Sequence, residues 1–144
     1  MFIVLINVKG EVSDSRYGVS LHVWEEYPDT KSVLLDLSSS GSYWVRSDWF
    51  NLPGDMQFWN DMKAVGVKML ALLPQDAATD LTDSDWYSKT HAYITEAVND
   101  APDMPAWEVG GEPELYGMQP SQYMQLLQMA YTIIKSVAPN AIIG

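Results

Sequence analysis

The 144-residue sequence contains no cysteine, which excludes disulfides, thiolate metal sites and a cysteine nucleophile. Basic residues are scarce: 8 Lys and Arg stand against 19 Asp and Glu, a net charge of -11. Phosphate backbones and anionic membranes are held by clustered Lys and Arg, so neither nucleic acid nor a membrane surface is an expected partner. The acids do not form a run of about five or six, and so read as a solvated surface rather than a tail. Only two histidines occur, with no acids clustered about them, and no metal or other cofactor is expected. Long apolar runs are missing as well. Residues 1–8 (MFIVLINV) are far too few to span a bilayer and lack the basic start and small-residue cleavage site of a signal peptide. They read as a strand or packing arm, so that residues 1–16 stand apart from a soluble domain over 17–144.

What is present suits one α/β domain. The chain is 47% hydrophobic, enough for a packed core at this length. The 6 Trp and 8 Tyr suit either a sugar-stacking surface or a large core. Residues 17–24 (YGVSLHVW) alternate as a strand does, and 42–50 (SYWVRSDWF) form a second strand with Trp44, Arg46 and Asp48 on one face. Residues 67–73 (VKMLALL) are a nearly continuous apolar run, as in a parallel strand covered on both faces. Helices are predicted over 30–40, 56–65, from the Thr82-Asp83-Ser84-Asp85 start to Val98, and from Pro120-Ser121 to Ala138. Residues 51–55 (NLPGD) read as a turn and 74–81 as a loop. The third helix shows a stripe of Trp86, Tyr93, Ile94, Ala97 and Val98. In the fourth, Tyr123, Met124, Leu127, Ala130, Tyr131, Ile134 and Val137 are expected to face inward. The order β-α-β-α-β-α-β-α-β predicts βαβ units and a parallel sheet with right-handed crossovers.

The segment 107–117 (WEVGGEPELYG) carries the strongest functional signal. A short strand leads into two glycines, presents Glu112 and turns at Pro113. If the strand's alternation continues, Ala106, Glu108, Gly110 and Glu112 share a face. A carboxylate at the C-terminal tip of a strand is where α/β barrels hold their chemistry. The bland alternative is an exposed strand-end acid before a proline turn.

WEVGGEP resembles the strand-four motif of clan A glycoside hydrolases, W-x-x-x-N-E-P, which are retaining enzymes on a (β/α)8 barrel. The β-xylosidase, α-iduronidase and endoglycanase branches are the most similar. Residues 17–22 (YGVSLH), 41–49 (GSYWVRSDW, with V-R-x-D), 66–73 (GVKMLALL) and 123–144 look like strand one, strand two, strand three, and helix four with strand five. The resemblance spans nearly all of 17–144. It implies a partial TIM (β/α)8 barrel of about four to five parallel βα units, and a carbohydrate as ligand.

Carried over by position, the resemblance makes Glu112 the general acid/base, protonating the leaving oxygen and then activating water. It puts Arg46 inside the barrel, with His22 and Trp24 on the floor of the sugar site, and Asp48 and Tyr116 among the substrate contacts. Each has a structural alternative. Arg46 and Asp48 fit an internal ion pair, His22 a hydrogen-bonded core residue, and Glu108 a partner for Arg46 or Lys68. Two departures stand out. The family's Asn before the acid is Gly111 here, and the nucleophile Glu of strand seven has no counterpart in 17–144, where Asp48 and Glu114 are the nearest carboxylates. Two readings follow: the N-terminal half of a glycosidase completed by self-association, a second chain or a longer product, or a non-catalytic carbohydrate-binding or structural half-barrel.

Overall fold

The apolar run at 67–73 is the middle strand of a parallel sheet. The computed structural model describes residues 18–20, 35–36, 38–39, 43–76 and 80–144. Its elements are β1 (Gly18–Ser20), β2 (Trp44–Asp48), α1 (Pro53–Ala64), β3 (Lys68–Leu73), α2 (Trp86–Asp100), β4 (Ala106–Val109), α3 (Pro120–Val137) and β5 (Ile142–Ile143). Of the helix expected over 30–40, Leu35, Asp36, Ser38 and Ser39 are described, and they are helical. The arm at 1–8, and His22 and Trp24, lie outside the described residues.

The five strands pair in chain order, β1-β2-β3-β4-β5, and every pair is parallel. Alternation along the strands then separates two faces. Val45, Met69, Ala71, Trp107 and Val109 join one core with residues of α1, α2 and α3, among them Trp59, Met62, Ile94, Val98, Leu126 and Ile134. On the opposite face Gly18, Trp44, Leu70, Ala106 and Ile142 line a hollow of about 160 Å³. Right-handed crossovers that always step to the next strand keep the helices on the same side, which explains this asymmetry. The α/β class and the parallel sheet expected from the sequence are therefore present.

Several local boundaries differ from expectation. The stretch 51–55 is not a free turn, because Pro53, Gly54 and Asp55 form the first turn of α1. Pro53 sits where its missing N–H costs nothing. Leu52, at the N-cap, has no side-chain acceptor, and Asp55 supplies one by accepting from the N–H groups of Phe50 at 2.8 Å and Leu52 at 3.0 Å. Burial pushes the Asp55 carboxyl above its usual range, against the pull of those two donors. In α1 Phe58 joins Trp59 and Met62 in the core, while Lys63 is exposed and donates to Asp103 at 2.9 Å.

The α2 stripe agrees with the sequence reading, and adds Thr90. The α3 face agrees in part, with Ala130 and Ile134 buried and Tyr123 and Leu127 packed against the core as expected. Leu126, Met129, Ala130, Ile133 and Ile134 are buried, whereas Met124, Tyr131 and Val137 are exposed. This helix is apolar on more than one side, so its sequence leaves the rotation open. Packing against α2 and β4 decides it. Among the described residues, no helix is long and apolar enough to cross a membrane.

Candidate functional site

Of the residues singled out by the sequence, the described ones, Arg46, Asp48, Glu112 and Tyr116, meet at the C-terminal end of the sheet. Register places Ser20 beside Arg46, Asp48 beside Leu72, and Leu72 beside Glu108. The odd-looking polar positions of β2 and β4 thus share the face away from the helices. From β2, the Arg46 guanidinium crosses over β3 to the Glu108 carboxylate. Nε donates to Oε2 at 2.6 Å and Nη2 to Oε1 at 3.0 Å. Both side chains keep about a quarter or less of their surface exposed, 21% for Arg46 and 24% for Glu108. A planar fork on a carboxylate is the strong form of this contact. Of the two partners expected for Glu108, it takes Arg46. The internal pair expected between Arg46 and Asp48 is replaced by this one. The Arg46 pKa is raised, first by the hydrogen bond to Glu108 and further by the charges of Glu108, Asp48 and Glu112, while burial opposes it.

Beyond Val109 the strand's alternation stops. Gly110 has φ +72°, in the left-handed region, so Glu112 does not continue the face of Ala106 and Glu108 as the sequence reading expected. Instead the chain turns. Gly110 N–H donates to Leu73 O at 3.0 Å, and Gly111 N–H donates to the Gln75 side-chain oxygen at 3.1 Å. Glu112 then reaches the same cleft by way of a bend rather than a strand. After it, Leu115 N–H donates to Glu112 O at 3.0 Å and Met118 N–H to Pro113 O at 3.0 Å, with Met118 buried. This tight coil leaves Tyr116 exposed at the rim of the cleft.

The left-handed bend yields a direct expectation. Gly110→Ala places a Cβ in a region that costs about 1–2 kcal/mol for an L residue. That Cβ would also meet Tyr123 Cε2 at 3.2 Å. Urea denaturation should show stability lower by roughly that amount, whereas Gly54→Ala, which meets nothing within 4 Å, should be neutral or slightly stabilising.

The cleft has a volume of about 550 Å³ and brings together Arg46, Asp48, Glu112 and Tyr116, the described residues that the sequence proposed for the site. That size is in the range of small-molecule sites. Glu114, the other carboxylate near the motif, does not line it. Sequence reasoning missed Gln75 and Asp76, which also line the cleft. Gln75 is buried, its carbonyl accepts from Trp86 Nε1 at 3.2 Å, and its side chain fixes Gly111. The signal was available, since both follow directly on β3, and ligands of parallel sheets gather at strand C-terminal ends. No group of three or more His, Asp or Glu among the described residues is placed to hold a metal ion.

The Gly111 position is closely neighboured by side chains. A Cβ there would meet Leu72 Cδ2 at 3.2 Å and Arg46 Nη2 at 3.6 Å. The arrangement offers the exposed Glu112 carboxyl group in one cleft with an engaged guanidinium, the carboxyl groups of Asp48 and Asp76, and an aromatic ring at the rim. No protein-family model and no curated protein matches the chain.

Proposed function

We propose that residues 17–144 form the N-terminal half of a glycosidase-like (β/α)8 barrel of the clan A type, with Glu112 as the acid/base for cleavage of an O-glycosidic bond. The observation that carries this reading is the gathering of Glu112, Arg46, Asp48 and Tyr116 in one cleft at the C-terminal end of a sheet whose strands run parallel in chain order. In a barrel, that end holds the chemistry and the helix-free face of the sheet becomes the interior. Ligands that bind α/β sheets at a reversal of strand order have no counterpart here, because the described strands show no reversal.

In this reading Glu112 gives its proton to the leaving oxygen as the glycosidic bond breaks, then takes one from the water that releases the sugar. Arg46 and Glu108 brace the floor beneath it. Retaining chemistry also wants a second carboxyl roughly 5–5.5 Å away. Its supply from elements outside 17–144, on a longer chain or a second chain, is part of the proposal.

The second reading, a carbohydrate-binding half-barrel without catalysis, is favoured by Gly111. The family's Asn would contact the sugar 2-hydroxyl, and glycine at this position supplies no side chain to do so.

The test uses the 144-residue chain and its Glu112→Gln variant. Millimolar glycosides should perturb the amide signals of Gly110, Gly111, Glu112 and Tyr116 in both proteins. Release of nitrophenol from aryl glycosides should stay near background in both. Absence of any amide perturbation would reject the carbohydrate reading. Turnover well above background that vanishes in Glu112→Gln would instead show that 144 residues complete a working site.

A further inference from the structure

Strand β2 delivers an aromatic side chain to the cleft. Its ladder runs one residue past Asp48, since Trp49 N–H donates to Leu72 O at 2.8 Å. Trp49 is buried in the helix-side core. The next side chain, Phe50, therefore falls on the face of Arg46 and Asp48. Phe50 is partly buried and lines the cleft together with Asp76 and Glu112.

The backbone at Phe50 is fixed from both sides. Its own N–H donates to the Asp55 carboxylate at 2.8 Å, and the preceding carbonyl, Trp49 O, accepts from the buried Tyr93 hydroxyl. Asn51 follows with φ +57°, a left-handed conformation that turns the chain and that asparagine tolerates better than most residues. Both ends of its carboxamide are engaged. Oδ1 accepts from Trp49 Nε1 at 2.7 Å, and Nδ2 donates to Tyr93 O at 3.0 Å. Helix α2 carries Tyr93 and also Trp86, whose indole N–H donates to the Gln75 carbonyl. One helix thus braces the corners after β2 and after β3.

We propose that Phe50 is the platform on which a sugar ring stacks in this cleft, with Asn51 as the positioning residue that holds it there. This rests on the carbohydrate reading of the cleft and adds a contact residue to it. A pyranoside carries C–H groups on its ring faces and hydroxyls around its edge. The Phe50 ring covers one such face, while the carboxyl groups of Asp76 and Glu112 accept hydroxyls. A ring whose backbone is already fixed has less freedom to lose on binding, so more of the contact appears as affinity.

The experiment titrates the 144-residue chain with methyl glucoside and with sorbitol, which has hydroxyls but no ring. The amides of Gly110, Gly111, Glu112 and Tyr116 report binding. In the unaltered chain, nuclear Overhauser effects should join the Phe50 ring protons to the C–H protons of the glucoside, and the glucoside should bind more tightly than sorbitol. Phe50→Leu keeps an apolar side chain without the ring. It should weaken the glucoside about tenfold and leave sorbitol nearly unchanged, so that the preference collapses. Phe50→Tyr keeps the ring and should keep the preference. Asn51→Gly retains the left-handed backbone without strain but loses the carboxamide, and should weaken the glucoside with Phe50 still present. The Overhauser contacts need no variant, so they decide the matter even where a substitution lowers stability. Glucoside binding without contact to the Phe50 ring, or with the preference unchanged in Phe50→Leu, would overturn the inference and leave the carbohydrate reading standing. Failure of the glucoside to shift any of these amides would reject that reading, and the inference with it.

Discussion

Trp107→Ala is expected to lower folding stability by about 3–5 kcal/mol, the range for removing a large buried aromatic. Trp107 has no exposed surface and lies at the middle of β4, on the helix side of the sheet. Its ring meets Trp49 edge-on, with centroids 5.7 Å apart and planes at 73°. Such aromatic pairs add about 0.5–1.5 kcal/mol beyond the buried area. The strand that carries Trp107 also carries Glu108 and leads to the Gly110 bend, so the cavity would loosen the site as well as the core. Trp107→Phe should behave differently. Among the described residues the buried indole N–H finds no acceptor, and an unsatisfied buried donor costs about 1–3 kcal/mol. Phe removes that donor while filling much of the space, so its net cost should be about 1 kcal/mol or less. Urea midpoints of the two variants decide the matter. Equal large losses would show that the indole nitrogen is satisfied after all.

Arg46→Met should be the second most damaging change, at about 2 kcal/mol. Breaking a fully buried ion pair by deleting one partner costs roughly 3–5 kcal/mol, because the remaining charge is stranded. Here both groups retain some solvent access, 21% and 24%, so water recovers part of that loss. Met keeps an unbranched apolar stem in place of the Arg stem, which separates loss of charge from loss of contact. The double variant Arg46→Met with Glu108→Leu should recover most of the stability, since an apolar pair in place of an ion pair is often neutral or better. A double-mutant cycle reads the coupling directly. If Arg46→Met alone were neutral, the bridge between β2 and β4 would be a surface pair of little energetic consequence. If the double variant were as unstable as Arg46→Met, the pair itself rather than the stranded charge would hold the strands.

Both predictions involve β4, the strand that the sequence marked most clearly. Alternation in 42–50, a nearly continuous apolar run over 67–73 and a short strand signal before Gly110 were enough to locate β2, β3 and β4, and their spacing among helical segments gave the parallel order. These are signals within one segment, and side-chain alternation depends only on near neighbours along the chain. The Trp86–Val98 stripe was legible for the same reason. The resemblance of WEVGGEP to a glycosidase motif likewise directed attention to Glu112, Arg46, Asp48 and Tyr116 before any fold was known.

Tertiary structure decided the rest. The sequence left Glu108 with two candidate partners, and only the strand order brought it within reach of Arg46, a residue 62 positions away on the far side of β3. Strand periodicity carried Glu112 onto the face of Glu108, but Gly110 takes a left-handed turn, which glycine permits without announcing. Gln75 reads locally as a loop residue and proves to be the buried acceptor that fixes Gly111. The α3 face was ambiguous because apolar residues surround much of that helix, and contact with its neighbours chose the buried side. Local pattern follows from the residues adjacent in the chain. Contacts across a sheet follow from strands about 4.8 Å apart whose sequence separation is unrelated to their distance.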